Sequence, residues 1–167
     1  MNSANSNTYS HFAEAARGRF NAHVHGAEAG GCAEVCVISA TGLGPTAESA
    51  LTASAERLGF GGDACAFIRL AVPAPEDRRH ALLAPVGSSL ADADLHLLIE
   101  SLDPRALVAT DLTAAAALAR IFHASLTAGK PQRILGRPTL AFADFSAMLA
   151  SPEGKRSAWE TLKLLVR

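Results

Sequence analysis

Aromatic residues are scarce in this chain of 167 residues: seven phenylalanines, one tryptophan and one tyrosine make up 5% of it. A core with so few rings must be built from small side chains, alanine above all, and its layers are expected to pack closely. Cysteine is scarcer. The three present, Cys32, Cys36 and Cys65, are an odd number in a chain of this size, which argues against a disulfide framework. No apolar run approaches the roughly 18 residues of a membrane-spanning helix. The segment from Met1 to Ser10 is polar and lacks the apolar stretch of a signal peptide. These absences together predict a reduced, cytoplasmic protein without a membrane anchor. Net charge is nearly absent as well. The formal value of −1 excludes a global basic signature of nucleic-acid binding.

What is present suffices for one folded domain. Apolar residues make up 49% of the chain, and its length fits a single core. Charge is unevenly placed. Residues 130–167 hold seven basic side chains (Lys130, Arg133, Arg137, Lys155, Arg156, Lys163 and Arg167) against three acidic ones (Asp144, Glu153 and Glu160). Such an end can meet phosphate, with Arg137, Lys155 and Arg156 as the candidate contacts. A solvated helical face is the weightier account of the same residues.

Residues 1–9 read as a disordered polar tail ahead of a single domain over residues 10–167. A short helix is expected over residues 11–20, followed by a flexible connection from Gly26 to Gly31. Short apolar runs then alternate with helical patterns. The runs are Val35 to Ser39, Ala66 to Val72, Ala106 to Thr110 and Thr139 to Ala143, each suited to a strand buried on both faces. Between them, Ala47, Ala50, Leu51, Ser54 and Leu58 share one helical face, with Thr46 as its cap. Leu95, Leu98, Ile99 and Leu102 share another, and Ala115, Leu118, Ala119 and Phe122 a third, capped by Asp111. A last helix opens at Ser151-Pro152, a cap followed by proline at the first helical position, and is expected to bury Trp159, Leu162 and Val166. Long connections are expected over residues 73–90 and 129–137. This alternation predicts an α/β fold, a parallel sheet with helices on both faces. Sites in such sheets lie at the carboxyl ends of strands. That directs attention to residues 40–45, 69–75, 110–113 and 144–147.

Several constellations carry possible chemistry. His23 and His25 with Cys32 and Cys36 offer four zinc ligands, but Cys36 falls inside a predicted buried strand, where cysteine behaves as a small hydrophobe. Gly42-x-Gly44 stands between a strand and a helix, where phosphate binds. It lacks the third glycine and the ribose acid of a dinucleotide fingerprint, so a tight turn accounts for it. Arg78-Arg79-His80 reads as an exposed loop. His96 and His123 fall on amphipathic helices as surface positions, and Cys65 has no neighbouring base that would make it a nucleophile. No metal and no cofactor are expected.

The run Thr139-Leu140-Ala141-Phe142-Ala143-Asp144-Phe145-Ser146, then Ser151-Pro152, then Lys155-Arg156-Ser157-Ala158-Trp159, resembles the C-terminal end of the uracil-DNA glycosylase superfamily. Its iron–sulfur branch is the most similar. There a strand ends in His-Pro-Ser and a later helix carries Lys-Arg-x-x-Trp. Leu107-Val108-Ala109 with Thr113-Ala114-Ala115, and Leu43-Gly44-Pro45 ahead of a helix, resemble further segments of that superfamily. The resemblance covers residues 35–167. It implies a three-layer α/β/α fold whose sheet has four parallel strands in the order 2-1-3-4.

The catalytic motifs of that superfamily are degenerate here. Those enzymes flip a base into a pocket. An acid after the first strand positions water, an asparagine at the second strand reads the base, and a histidine stabilises the leaving anion. Here Thr41 and Gly42 stand in an acid-free loop, Arg69 or Leu70 takes the asparagine position, and Asp144 and Ser146 stand where His-Pro-Ser would be. The cluster-bearing branch uses four cysteines, one more than this chain has. The resemblance therefore implies an inactive relative serving as a binding or interaction module. It implies a protein partner in DNA replication or repair and weak DNA binding. A second resemblance, to the clamp-loader psi subunit, rests on the short loop after the first strand and on Ser151-Pro152 to Trp159; it implies a non-catalytic replication subunit. An enzyme of altered chemistry using Asp144 is the third expectation.

Overall fold

The computed structural model describes residues 11–12, 14–26, 33–61, 64–72 and 88–166. The N-terminal tail, residues 27–31 of the expected flexible connection, Cys32 and Arg78-Arg79-His80 lie outside the described residues. So does most of the connection expected over residues 73–90.

Residues 14–19 form helix α1. The sheet then takes β1 (Val24–Gly26), β2 (Val35–Ser39), β3 (Cys65–Arg69), β4 (Ala106–Ala109), β5 (Gln132–Ile134) and β6 (Arg137–Ala141). The helices are α2 (Pro45–Arg57), α3 (Asp92–Leu102), α4 (Leu112–Ile121), α5 (Phe145–Met148) and α6 (Pro152–Leu162), with a 3₁₀ turn over Lys163–Val166 at the end.

The α/β class holds. The sheet is not the four-stranded parallel one expected from the sequence. Among the described residues it has six strands, in the order β1-β3-β2-β4-β6-β5. The pairs among β3, β2, β4 and β6 are parallel, while β1 and β5 join the edges antiparallel. Both edge strands are three residues long, too short to show a period-two pattern. A hairpin joining β5 to β6 stands where a long connection is expected. Its two turn residues, Leu135 and Gly136, have φ of 49° and 84°, the backbone of a type I′ turn. That turn favours Asn-Gly, and leucine at its first position hides the hairpin from sequence inspection.

Alternation along the inner strands makes two cores. Cys36, Ile38, Ala66, Ile68, Leu107 and Ala109 face one side, where α3 and α4 bring Leu95, Leu98, Ile99, Leu102, Ala114 and Leu118. Val35, Val37, Cys65, Phe67, Ala106 and Val108 face the other, where α2, α5 and α6 bring Leu51, Ala55, Phe145, Ala158 and Leu162. All five residues of β2 are buried, as expected of a central strand covered on both faces.

The helix ends mostly follow their sequence signals, with two departures. Asp111 and Ser151 cap α4 and α6 as expected, accepting from the backbone N–H groups of Ala114 and Gly154. Thr46 is not a cap: Gly44 takes that place and Pro45 is the first helical residue of α2. At the C-terminus Trp159 is half-buried and Val166 is 53% exposed, while Leu162 and Leu165 are buried. The chain tightens there to three residues per turn, so the position below Leu162 is i+3 rather than i+4. That substitutes Leu165 for the expected Val166.

Candidate functional site

The strand order reverses between β2 and β4, because β2 connects outward to β3 on one side and the later strands build on the other. Such a switch point is where open α/β sheets form their crevices. The loops here are tied to one another. The Asp111 carboxylate accepts from Ala40 N at 2.8 Å with one oxygen and from Ala114 N at 2.8 Å with the other. Thr110 is buried and donates its hydroxyl to Ile38 O at 3.1 Å. Phe145 N donates to Thr110 O at 2.8 Å, and Leu70 N to Ser39 O at 2.9 Å. The Asp111 bonds satisfy a donor of the loop after β2 and one of the first turn of α4, while Ile38 O accepts from both the backbone and the hydroxyl of Thr110.

Beside these loops, on the α3–α4 side, lies an open cleft of about 570 Å³. Its floor and walls are mainly apolar: Leu70, Leu90, Leu95, Leu112 and alanines from α4 and the strand-end loops, with Thr41, Ser89 and Thr113 as hydroxyls. Leu112 is 61% exposed at the first turn of α4. At the rim Arg120 grips Asp92 with two hydrogen bonds of 2.5 and 2.6 Å. That guanidinium holds the Asp92 carboxyl below its usual range. Both side chains are exposed, so solvent screens the pair.

Of the six pocket positions suggested by the sequence, Thr41 and Leu70, the alternative to Arg69 at the asparagine position, line this cleft. Gly42 has φ of 102°, a turn conformation that favours glycine, and it packs near the aliphatic part of Arg69. Arg69 is half-buried at the end of β3, and its Nε has no hydrogen-bond partner among the described residues. Asp144 is exposed and caps α5, accepting from Ala147 N at 2.9 Å; Ser146 is exposed beside it. The structure does not bring Arg69 and Asp144 together. They end strands three places apart in the sheet, roughly 14 Å at ordinary strand spacing, and no ion pair among the described residues joins them.

The chain matches no family model and no curated protein sequence.

The remaining candidates are scattered. His23 is buried between Arg69 O at 2.9 Å and Ser88 Oγ at 3.0 Å. Nδ1–H donates to the carbonyl, and Nε2 pairs with the hydroxyl, which can donate or accept. His25 instead bonds Glu48 at 2.9 Å and stacks on Phe67. Cys36 and Cys65 point to opposite cores, and burial pushes their thiols up to about 12 and about 11. Among the described residues, no three His, Cys, Asp or Glu side chains gather as a metal site requires. His96 and His123 are exposed.

The basic candidates are divided. Arg137 stands at the start of β6, at the opposite end of the sheet from the strand-end loops. It bonds Glu100 at 2.6 and 3.3 Å and Asp103 at 3.1 Å. Lys155 and Arg156 are exposed on α6. Sequence inspection missed Asp92, Arg120 and Leu90, whereas Leu112 falls within the strand-end segment 110–113 that it singled out. No helix among the described residues is long and apolar enough to cross a membrane.

Proposed function

We propose that this chain is a binding module on a uracil-DNA glycosylase-like scaffold that does not excise uracil. The observation that supports it most directly is the engagement of the strand-end carboxylates. Asp111 accepts two backbone N–H bonds through its two oxygens, and Asp144 caps α5. A glycosylase needs a carboxylate free to orient water and a donor aimed at the leaving anion. Here the acids hold loops, and the cleft beside them is walled by leucine and alanine. An apolar, preformed cleft with a few hydroxyls suits binding. The partner class follows from the sequence resemblance: a protein of the replication or repair machinery, with weak DNA contact through Lys155 and Arg156.

Incubation with a labelled uracil-containing oligonucleotide, followed by alkaline cleavage of abasic sites, tests the proposal. The expected result is no cleavage above a no-protein control on single- or double-stranded DNA. Losing one oxyanion donor typically costs about 10²–10³ in rate, and here the histidine donor is replaced together with the water-positioning acid and the asparagine. Asp144→His is expected to recover nothing, because the loop after β2, residues 40–44, still carries no acid to place the water. Cleavage abolished by Asp144→Ala would overturn the proposal and assign Asp144 an acid–base role.

A further inference from the structure

A second concavity lies on the other face of the sheet, between α2 and α6. Helix α2 turns Ala47, Leu51 and Ala55 into the core, which leaves Thr46, Ser49, Ala50 and Ser54 along its flank. Helix α6 buries Ala158 and Leu162, and Lys155 and Trp159 fall on the same stripe by the i, i+3, i+4, i+7 rule. The two stripes face each other across a groove of about 440 Å³, floored by Phe145 and Leu149.

Three features distinguish this groove from an ordinary helix–helix seam. Its side carries the only tryptophan of the chain, and that ring is half-buried rather than packed into the core. Lys155 is exposed one helical turn away, and none of the ion pairs among the described residues involves it; the neighbouring acid Glu160 pairs instead with Lys163 at 2.6 Å. The opposite wall supplies hydroxyls from Thr46, Ser49 and Ser54. A flat apolar ring, a free cation and a row of small donors converge on a space within the size range of small-molecule sites.

The geometry points to a binding site for a planar aromatic anion, its ring against the Trp159 indole and its anionic group at Lys155 Nζ. Stacking of offset rings contributes beyond the area buried, and an ammonium–anion hydrogen bond is among the stronger kinds. Neither half of such a ligand satisfies the groove alone. The site lies on the opposite face of the sheet from the α3–α4 cleft; it shares Lys155 with the proposed DNA contact but does not depend on whether uracil is excised.

The lone indole makes the test direct. Full-length protein is titrated with AMP and with benzoate, which join a ring to an anion, with adenosine, which lacks the anion, and with inorganic phosphate, which lacks the ring. Trp159 emission and amide NMR shifts are followed. Saturable changes are expected for AMP or benzoate below about 1 mM, a weak affinity on the binding scale. Lys155→Gln is expected to weaken that ligand about tenfold and adenosine hardly at all. Ala50→Leu, which fills the groove from the α2 side, is expected to abolish both responses while circular dichroism stays unchanged. No saturable response to either ringed anion overturns the proposal. So does a response to phosphate equal to that for AMP, or one unaffected by both variants. A Trp159 emission that shifts with protein concentration in the absence of ligand also overturns it, since the groove is then covered by a second copy.

Discussion

Single residues in this protein show how strongly surroundings decide chemistry. Cys36 and Cys65 have no charged neighbour strong enough to offset burial, so both thiols stay protonated well above neutral pH, at about 12 and about 11. The thiolate is the reacting species. Iodoacetamide at pH 8 is therefore expected to leave both unmodified in the native protein and to label both in denaturant, as peptide mass mapping would show. Labelling of either in the native state would mean that its strand opens. A raised folded-state value stabilises below the unfolded thiol's ordinary value near 9, and that stability is lost as pH rises from there toward 12. Leu135 shows the converse. It holds φ of 49° and is 71% exposed, so neither propensity nor burial accounts for leucine at that turn.

Elements are joined by close approaches that small residues allow. Gly154 sits in the first turn of α6, and a β-carbon there would collide with the Met148 carbonyl at the end of α5. Elsewhere in a helix, glycine to alanine usually stabilises by up to about 1 kcal/mol. At this position the sign reverses: Gly154→Ala is expected to destabilise by about 1–3 kcal/mol, the usual range for overpacking. Urea unfolding measures it, and a midpoint at or above the wild-type value would refute the close approach. The α5–α6 turn was visible in the sequence through Ser151-Pro152 alone. The need for glycine three residues later was not, because it arises from the path of α5 against α6.

Across the whole molecule, two half-sheets meet at the β2–β4 junction, and Asp111 stands across it. Its carboxylate holds the loop after β2 and the first turn of α4 together. Asp111→Ala is expected to cost roughly 2–3 kcal/mol, combining a lost cap with an unpaired backbone donor. Asp144→Ala removes only the cap of a four-residue helix and is expected to cost about 1 kcal/mol or less. Comparison of the two by urea denaturation checks the ranking. Equal effects would mean that the Ala40 contact contributes nothing.

The α/β class, the four inner strands, the whole buried face of α3, parts of those of α2 and α4, and the caps at Asp111 and Ser151 were legible in the order of the residues. These are local properties: the period of apolar residues and the chemistry of a helix start are written within a few positions. The edge strands were not legible, because β1 and β5 are three residues each and exist only by pairing with partners distant in sequence. The candidate site was legible only in part. The strand-end segments 40–45, 69–75 and 110–113 brought Thr41, Leu70 and Leu112 to the cleft, while Arg69 and Asp144 were separated by the two strands between theirs, and Asp92 and Arg120 met at the rim from different helices. Which side chains share a cavity depends on strand order and helix docking. Only the packed chain fixes that, because packing brings together residues whose sequence neighbourhoods carry no mark of one another.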